Sequence, residues 1–285
     1  MSQHEPEQAR RTVMIAAFEG WNDAGGAATA AVEHLADVWG AEQVAELDPE
    51  DYYDFQVNRP QVSADDDGRR ILTWPSTTVS VAEVPGSGRR VVLVHGIEPS
   101  MRWRAYCREL LAHADRLGVE TVVTLGALLA DVPHTRPIPL TATSESVGMQ
   151  AVLDVEQSTY EGPTGIVGVL QHAASEHALQ SVSLWAAVPH YVGNPPSPKA
   201  TLAILTRVED LLSEPVPLGD LPADAEAWQH GVDELAQEDS EIAEYVHQLE
   251  EAKDAEELPE ASGEAIAREF ERYLRRRDSG DGRPG

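Results

Sequence analysis

Four times along this chain an apolar run of β type ends in a polar, glycine- and proline-rich loop. Residues 13–18 run into 19–26, residues 91–94 into His95-Gly96-Ile97-Glu98-Pro99, residues 121–130 into 131–137, and residues 182–188 into 189–196. Helical patterns separate most of these runs, and strands joined by helical crossovers build a mostly parallel sheet with helices on both faces. Such sheets place their ligands at the carboxyl ends of the strands. The pattern therefore locates a candidate site before it says what happens there.

The helices carry their own punctuation. After the first strand, Asn22 or Asp23 caps a helix reaching to about Trp39, with Ala24, Ala28, Ala31, Leu35 and Val38 as its stripe. A second helix over 101–117 puts Trp103, Cys107, Leu110, Ala114 and Leu117 on one face, and Gly118 stops it. A further helix is expected over 164–177. The last body helix has Ser197 as N-cap, Pro198 at its first position and Ile204, Val208 and Leu211 as its stripe. Residues 44–47 and 71–74 read as short strands, with a turn over 65–68. Residues 77–84 read as another strand, and the 77–84 and 91–94 strands are joined too closely for a parallel crossover, so an antiparallel hairpin is expected and the sheet should be mixed. The expected fold is a three-layer mixed, mostly parallel α/β sheet with an acidic C-terminal helical extension.

Charge divides the chain. Residues 12–213 hold 26 acidic and 12 basic side chains, whereas 214–271 hold 19 acidic and 2 basic. The expected organisation is a disordered 1–11, an α/β domain over 12–213, a Pro/Gly-rich linker over 214–222, an acidic helical hairpin over 223–277 and a disordered 278–285. In the tail, Ala225, Trp228, Val232, Leu235, Ile242, Val246 and Leu249 step by threes and fours with Asp239 in one slot, a coiled-coil-like seam on one acidic helix. A second helix over 261–277 carries Ile266, Phe270 and Leu274. This hairpin either folds back on its own body or a neighbouring subunit, or serves as a docking arm.

A formal net charge of −28 sets the surface against nucleic-acid backbones and anionic membranes. Residues 1–11 lack an apolar signal core and no run approaches a membrane span, so no membrane association is expected. Cys107 is the only cysteine, which excludes an internal disulfide and a cysteine-based zinc site; it reads as a buried thiol. A reducing cytoplasm is the simplest compartment.

The loops lack the familiar chemical signatures. There is no phosphate loop, the only lysines are Lys199 and Lys253, and Glu19 to Gly26 lacks dinucleotide-fingerprint spacing. No nucleophile elbow occurs, and His172 and His177 do not share a helix face. No catalytic residue, metal or cofactor is assigned. Glu19 and Asp23 would repel anions and suit amines, hydroxyls or a guanidinium, or else serve as turn and capping groups. His95 and Glu98 would meet across one turn. In the Asp131–Pro137 loop, stiffened by two prolines, His134 beside Asp131 would be an oriented base. Arg136 would clamp a carboxylate or phosphate, or else pair with Asp131 or Glu98. Gly162 and Gly165 permit close backbone approach, and Lys199 reads as a solvated lysine.

Taken together, the loops resemble the proteasome assembly chaperone 2 family, in its actinobacterial branch. The resemblance rests on Phe18-Glu19-Gly20-Trp21-Asn22-Asp23-Ala24-Gly25, on His95-Gly96-Ile97-Glu98-Pro99 and on Pro133-His134-Thr135-Arg136-Pro137. It continues in Tyr160-Glu161-Gly162-Pro163-Thr164-Gly165-Ile166 and Pro189-His190-Tyr191. It implies a fold similar to nucleoside phosphorylases, homo-oligomers (a trimer being one such form) and proteasome subunits as candidate partners. Glu19, Trp21, Asn22, Asp23, His95 and Glu98 then stand as ligand or interface candidates, with Asp131, His134, Arg136, Tyr160, Thr164 and His190. Ring-docking relatives often end in a hydrophobic–tyrosine–any-residue tail, which Gly282-Arg283-Pro284-Gly285 does not match. The resemblance thus implies a non-enzymatic oligomeric assembly factor. The alternative is a protein that binds, or a hydrolase that cleaves, a small nucleoside-like or carboxylate molecule at these loops.

Overall fold

The computed structural model describes residues 12–257 apart from 66 and 154. In chain order the elements are β1 (Thr12–Glu19), α1 (Ala27–Val38), β2 (Glu42–Leu47), α2 (Pro49–Tyr52), β3 (Gln61–Ala64), β4 (Arg70–Thr73), β5 (Thr77–Glu83) and β6 (Arg90–Ile97). Then come α3 (Trp103–Leu117), β7 (Val119–Ala130), β8 (Leu140–Thr143), α4 (Val147–Leu153), α5 (Ile166–Glu176), β9 (Gln180–Pro189), α6 (Pro198–Leu212), α7 (Leu221–Glu238) and α8 (Ser240–Glu257).

The central sheet has seven strands in the order β2-β5-β6-β1-β7-β9-β8. Strands β6, β1, β7 and β9 are parallel at its centre. The short 84–89 connection makes β5 and β6 antiparallel, as expected, and β2 and β8 add antiparallel edges. Strand alternation then divides the core into two layers. Val13, Ile15 and Ala17 of β1 pack with α1 and α6, whereas Met14, Ala16 and Phe18 pack with α3 and α5. Because both faces are covered, β1 and β6 are apolar almost without interruption, which is the pattern of a buried parallel strand. Cys107 sits in the second layer, where burial pushes its thiol up to about 11. Among the described residues no helix is long and apolar enough to cross a membrane.

The edges depart from the sequence reading. Residues 70–73 lie outside the central sheet and pair with β3 as a separate two-stranded ribbon, exposed along its length. The sequence pattern does not signal β8 or α4; β8 is four residues long and never fully buried. Within 214–222, expected as a linker, Glu214 and Val216 are buried while Pro215, Pro217, Gly219 and Asp220 are exposed. Val216 lies in the α1–α6 core and Glu214 forms a buried ion pair with Arg89 at 3.6 Å.

The tail is corrected at one residue. The apolar seam from Ala225 to Leu249 does not lie on one helix, since Asp239 is extended at φ −121°, ψ 110°. Its carboxylate accepts from Glu241 N at 2.9 Å and Ile242 N at 3.3 Å. A short acidic side chain competes for backbone amides in this way, ending α7 and capping α8. Leu235, a seam position by spacing, is 61% exposed. The expected 261–277 helix and the 1–11 and 278–285 segments lie outside the described residues.

Candidate functional site

β1 leads into α1 on one face of the sheet and its neighbour β6 leads into α3 on the other. Loops that diverge from adjacent parallel strands open the crevice in which such sheets hold ligands. Here the chain fills it. Glu98 N donates to Glu19 O at 3.0 Å, which ties the two loops together. Glu98 Oε1 accepts from Asn22 Nδ2 at 2.7 Å and from Ile166 N at 2.8 Å. Ile166 opens α5, and a helix N-terminus favours a carboxylate. Asn22 is 1% exposed, and its backbone carbonyl accepts from Ala127 N at 2.8 Å, while its side-chain Oδ1 has no partner. Gly165 presses on it so closely that a Cβ there would stand 2.1 Å from Asn22 Oδ1.

Asp23 is a capping group. Its carboxylate accepts from Ala28 N at 2.6 Å, from Thr29 N at 3.3 Å and from the Thr29 hydroxyl. Burial raises its carboxyl above the usual range, and those bonds oppose the rise. The helix begins at Ala27 because the turn over Ala24–Gly26 intervenes, with Gly25 and Gly26 at φ 65° and 62°. Gly25 there packs against Ser197. Ser197 sits at the N-cap position of α6 as expected, yet its side chain makes no capping bond.

Glu19 and His95 turn the other way. With Glu33, Arg59, Trp74 and Thr78 they line an open cavity of about 510 Å³ beneath the β3–β4 ribbon. Burial raises the Glu19 carboxyl, helped by the Glu33 and Asp23 charges; burial lowers the His95 imidazole against the pull of Glu33. His95 and Glu98 therefore do not form the expected pair. The register of β6 sends His95 to the α1 side, where its cavity neighbours are, while Glu98 bonds on the α5 side. Trp21 and Tyr160 are 68% and 66% exposed. The Tyr160 hydroxyl donates to Pro163 O at 2.9 Å, and Thr164 Oγ1 fills the space that a Cβ on Gly168 would need.

The loop after β7 is covered by the tail. Arg136 does not meet Asp131 or Glu98. Its Nε and Nη2 donate to Asp254 at 2.8 and 2.7 Å, and Nη1 donates to Glu250 at 3.1 Å. Thr135 Oγ1 also donates to Glu250. Asp131 pairs with His190 at 3.2 Å and accepts from the Tyr245 hydroxyl at 3.1 Å, so it does not orient His134. His134 is 1% exposed, with Nδ1 2.8 Å from the Tyr191 hydroxyl and Nε2 3.0 Å from Asp233. Burial lowers its imidazole, and Asp233 opposes this. Lys199 is not a free surface lysine: its ammonium donates to His134 O and to Gln229 Oε1, and burial lowers it.

The candidates thus form two groups, with Trp21, Tyr160 and Thr164 in neither. Asn22 and Glu98 close the β1–β6 crevice beside Glu19 and His95. His134 is buried against α7, and Asp131, Arg136 and His190, all reached by solvent, contact α8. The tail partners Asp233, Glu250 and Asp254 escape sequence reasoning, since nothing distinguishes them from the other acidic tail residues, and Tyr245 escapes it because it lies outside the apolar seam. Tyr191 had a signal in its motif beside His190. Among the described residues no cluster of three or more His, Cys, Asp or Glu side chains has the arrangement of a metal site.

Comparison with known proteins places this architecture. The PAC2 family model matches residues 17–236. A PAC2 family protein of Streptomyces avermitilis is 60% identical, with a TM-score of 0.78 over 82% of this chain and 99% of that one. A proteasome-assembly chaperone homologue of Mycobacterium tuberculosis is 55% identical, with a TM-score of 0.76 over 82% and 99%. An archaeal proteasome activator of Pyrococcus furiosus, 17% identical over 79% and 93%, shares the fold with a TM-score of 0.62. Among curated proteins none matches. A model that spans the sheet and α7, and two relatives more than half identical across almost their whole length, make one conclusion: the chain belongs to the PAC2 family.

Proposed function

We propose that this protein is a cytoplasmic assembly factor that works by protein–protein contact, as a homo-oligomer and without turnover, with proteasome subunits as its partners. The observation that carries this reading is the filled crevice. Where an open α/β sheet would seat a ligand, Glu98 is bonded to Asn22 and Ile166 and tied to Glu19. These bonds tie the loops to one another, with Asn22 Oδ1 left buried and without a partner, and a rim tied in this way suits surface contact better than a reaction chamber. Family membership and the M. tuberculosis relative's description as a proteasome-assembly chaperone homologue support the choice of partner. The test is co-purification with unassembled proteasome α subunits, followed by native electrophoresis of ring formation with and without the protein. Association and faster ring formation are expected. No association, with unchanged assembly, sinks the reading.

A second reading rests on the cavity beneath the β3–β4 ribbon, whose lining carries Glu19, Glu33, Arg59 and His95. Carboxylates and a guanidinium in one cavity suit a small zwitterion. A thermal-shift screen with amino acids and nucleosides addresses it, and stabilisation abolished by His95→Ala is the result it requires.

A further inference from the structure

We propose that the Asp131–Arg136 loop is a receptor for an acidic helix of another polypeptide, and that α8 is its resident occupant, closing it in cis. The inference does not depend on which protein supplies the helix, and so stands apart from the proteasome reading. The resident defines the chemistry recognised. Glu250 and Asp254 are four residues apart, one helical turn, and both lie on the Arg136 guanidinium, with Asp254 bidentate. Glu250 is shared with the Thr135 hydroxyl. Five residues before Glu250, the Tyr245 hydroxyl reaches Asp131 at 3.1 Å. Val246 is the buried apolar anchor. A partner helix would therefore present Tyr-Val, then Glu, then Asp at these intervals, on a basic foothold that is scarce in a chain with 21 basic and 49 acidic residues.

The occupant is also built to leave. Val246 is the one described side chain of α8 that is buried, whereas α7 buries Ala225, Val232 and Ala236. The extended Asp239 separates the two helices and caps α8 by itself. Lifting α8 breaks neither the packing of α7 on α6 nor the His134–Asp233 contact, since both are made by α7 itself. What is exposed is Arg136 with Thr135, held by a proline-stiffened loop in a geometry already fitted to carboxylates.

The test uses the full chain and a fluorescent peptide of residues 240–257, read by anisotropy. In wild type α8 competes with the peptide, and apparent affinity is reduced by the fraction of open receptor. The double substitution Glu250→Gln, Asp254→Asn in the full chain should raise peptide affinity by about tenfold or more. The single Asp254→Asn should give an intermediate gain. Adding Arg136→Ala to the double variant should abolish binding, as should the same two substitutions placed in the peptide. Equal affinity for wild type and double variant overturns the proposal, and so does no binding to either or binding that survives Arg136→Ala. Should the double variant not fold, the single variant and wild type give the same comparison.

Discussion

On the β1–β6 side of the rim, Glu98 is held by Asn22 and by the first amide of α5, groups that the α/β body supplies. On the β7–β9 side, Arg136 is held by carboxylates 114 and 118 residues downstream. Both sides are closed, but the closures differ in kind. The first ties one part-buried carboxylate to two buried groups, Asn22 and Ile166, which are left without an acceptor and without water when it is removed. The second joins a guanidinium and carboxylates that solvent and salt still reach. A rim with one fixed side and one detachable side is what a protein that docks others would use: a rigid reference surface beside a contact that can be exchanged.

The sharpest way to break this comparison is Glu98→Ala. It leaves Asn22 Nδ2 and Ile166 N without an acceptor, and unpaired buried groups cost about 2–3 kcal/mol together. For a chain of this size, the unfolding midpoint should fall by roughly 5–10 °C in a calorimetric scan. A fall near zero would mean that this side is as loosely held as the other.

Gly165→Ala probes the same closure by crowding rather than by removal. Gly165 sits at φ −93°, ψ −173°, which any residue adopts, so the penalty is steric alone. The new methyl would meet Asn22 Oδ1 at 2.1 Å and Nδ2 at 2.6 Å, and overpacking of that degree costs about 1–3 kcal/mol. Denaturant midpoints of the two single variants and of Asn22→Ala, Gly165→Ala together would show the coupling. The double variant should lose less than the sum of the singles, because removing the Asn22 side chain removes the clash.

His134 joins the two sides of the comparison, since it is buried like Asn22 yet bonded to the tail like Arg136. Burial holds its native imidazole below the unfolded value of about 6.5. As pH falls below that value the unfolded chain takes up a proton that the native chain resists. The unfolded state then binds more protons, so this contribution to stability is present above about 6.5 and is lost as pH falls toward the lowered native value. Tyr191, Lys199, Asp233 and Glu250 surround the ring and set how far that value lies. His95 and His113 are lowered by burial as well and add the same sign. The informative quantity is therefore the difference between wild type and His134→Gln. Urea midpoints at about pH 7.5 and 5.5 should fall less in the variant than in wild type. An equal or larger fall in the variant would place His134 among groups that gain a proton freely on the folded surface.

These contrasts follow the distance over which a sequence can be read. The four strand-to-loop transitions, the Gly118 stop and the helix under Asp23 are local, fixed by alternation, capping and spacing within a dozen residues. Membership of the rim is local too, which is why Asn22, Glu98, His134 and Arg136 could be singled out. Their partners are not. Arg136 reads equally well against Asp131, Glu98 or any tail carboxylate, and only the packing of α7 on α6 brings Glu250 and Asp254 within reach. The seam from Ala225 to Leu249 misleads for a related reason. Its three-and-four spacing continues across Asp239, while the backbone at that residue does not. His95 and Glu98 separate because β6 register is a property of the sheet, not of the loop that follows it.

The smallest global effect is expected at Arg136, and it is the one that separates the two sides most cleanly. Arg136→Ala removes three hydrogen bonds to α8 and leaves α7, with its buried Ala225, Val232 and Ala236, untouched. Exposed ion pairs are screened by salt and add little to overall stability, so the unfolding midpoint should match wild type within error. Local stability is another matter, because elements with few buried apolar contacts open below the global transition. Amide exchange over 240–257 should already be faster than over 221–238 in wild type. In Arg136→Ala the gap should widen, and high salt should widen it in wild type while changing the variant little. If the two helices instead exchange together and respond together to Arg136→Ala, the tail is one cooperative unit and the rim has no detachable side.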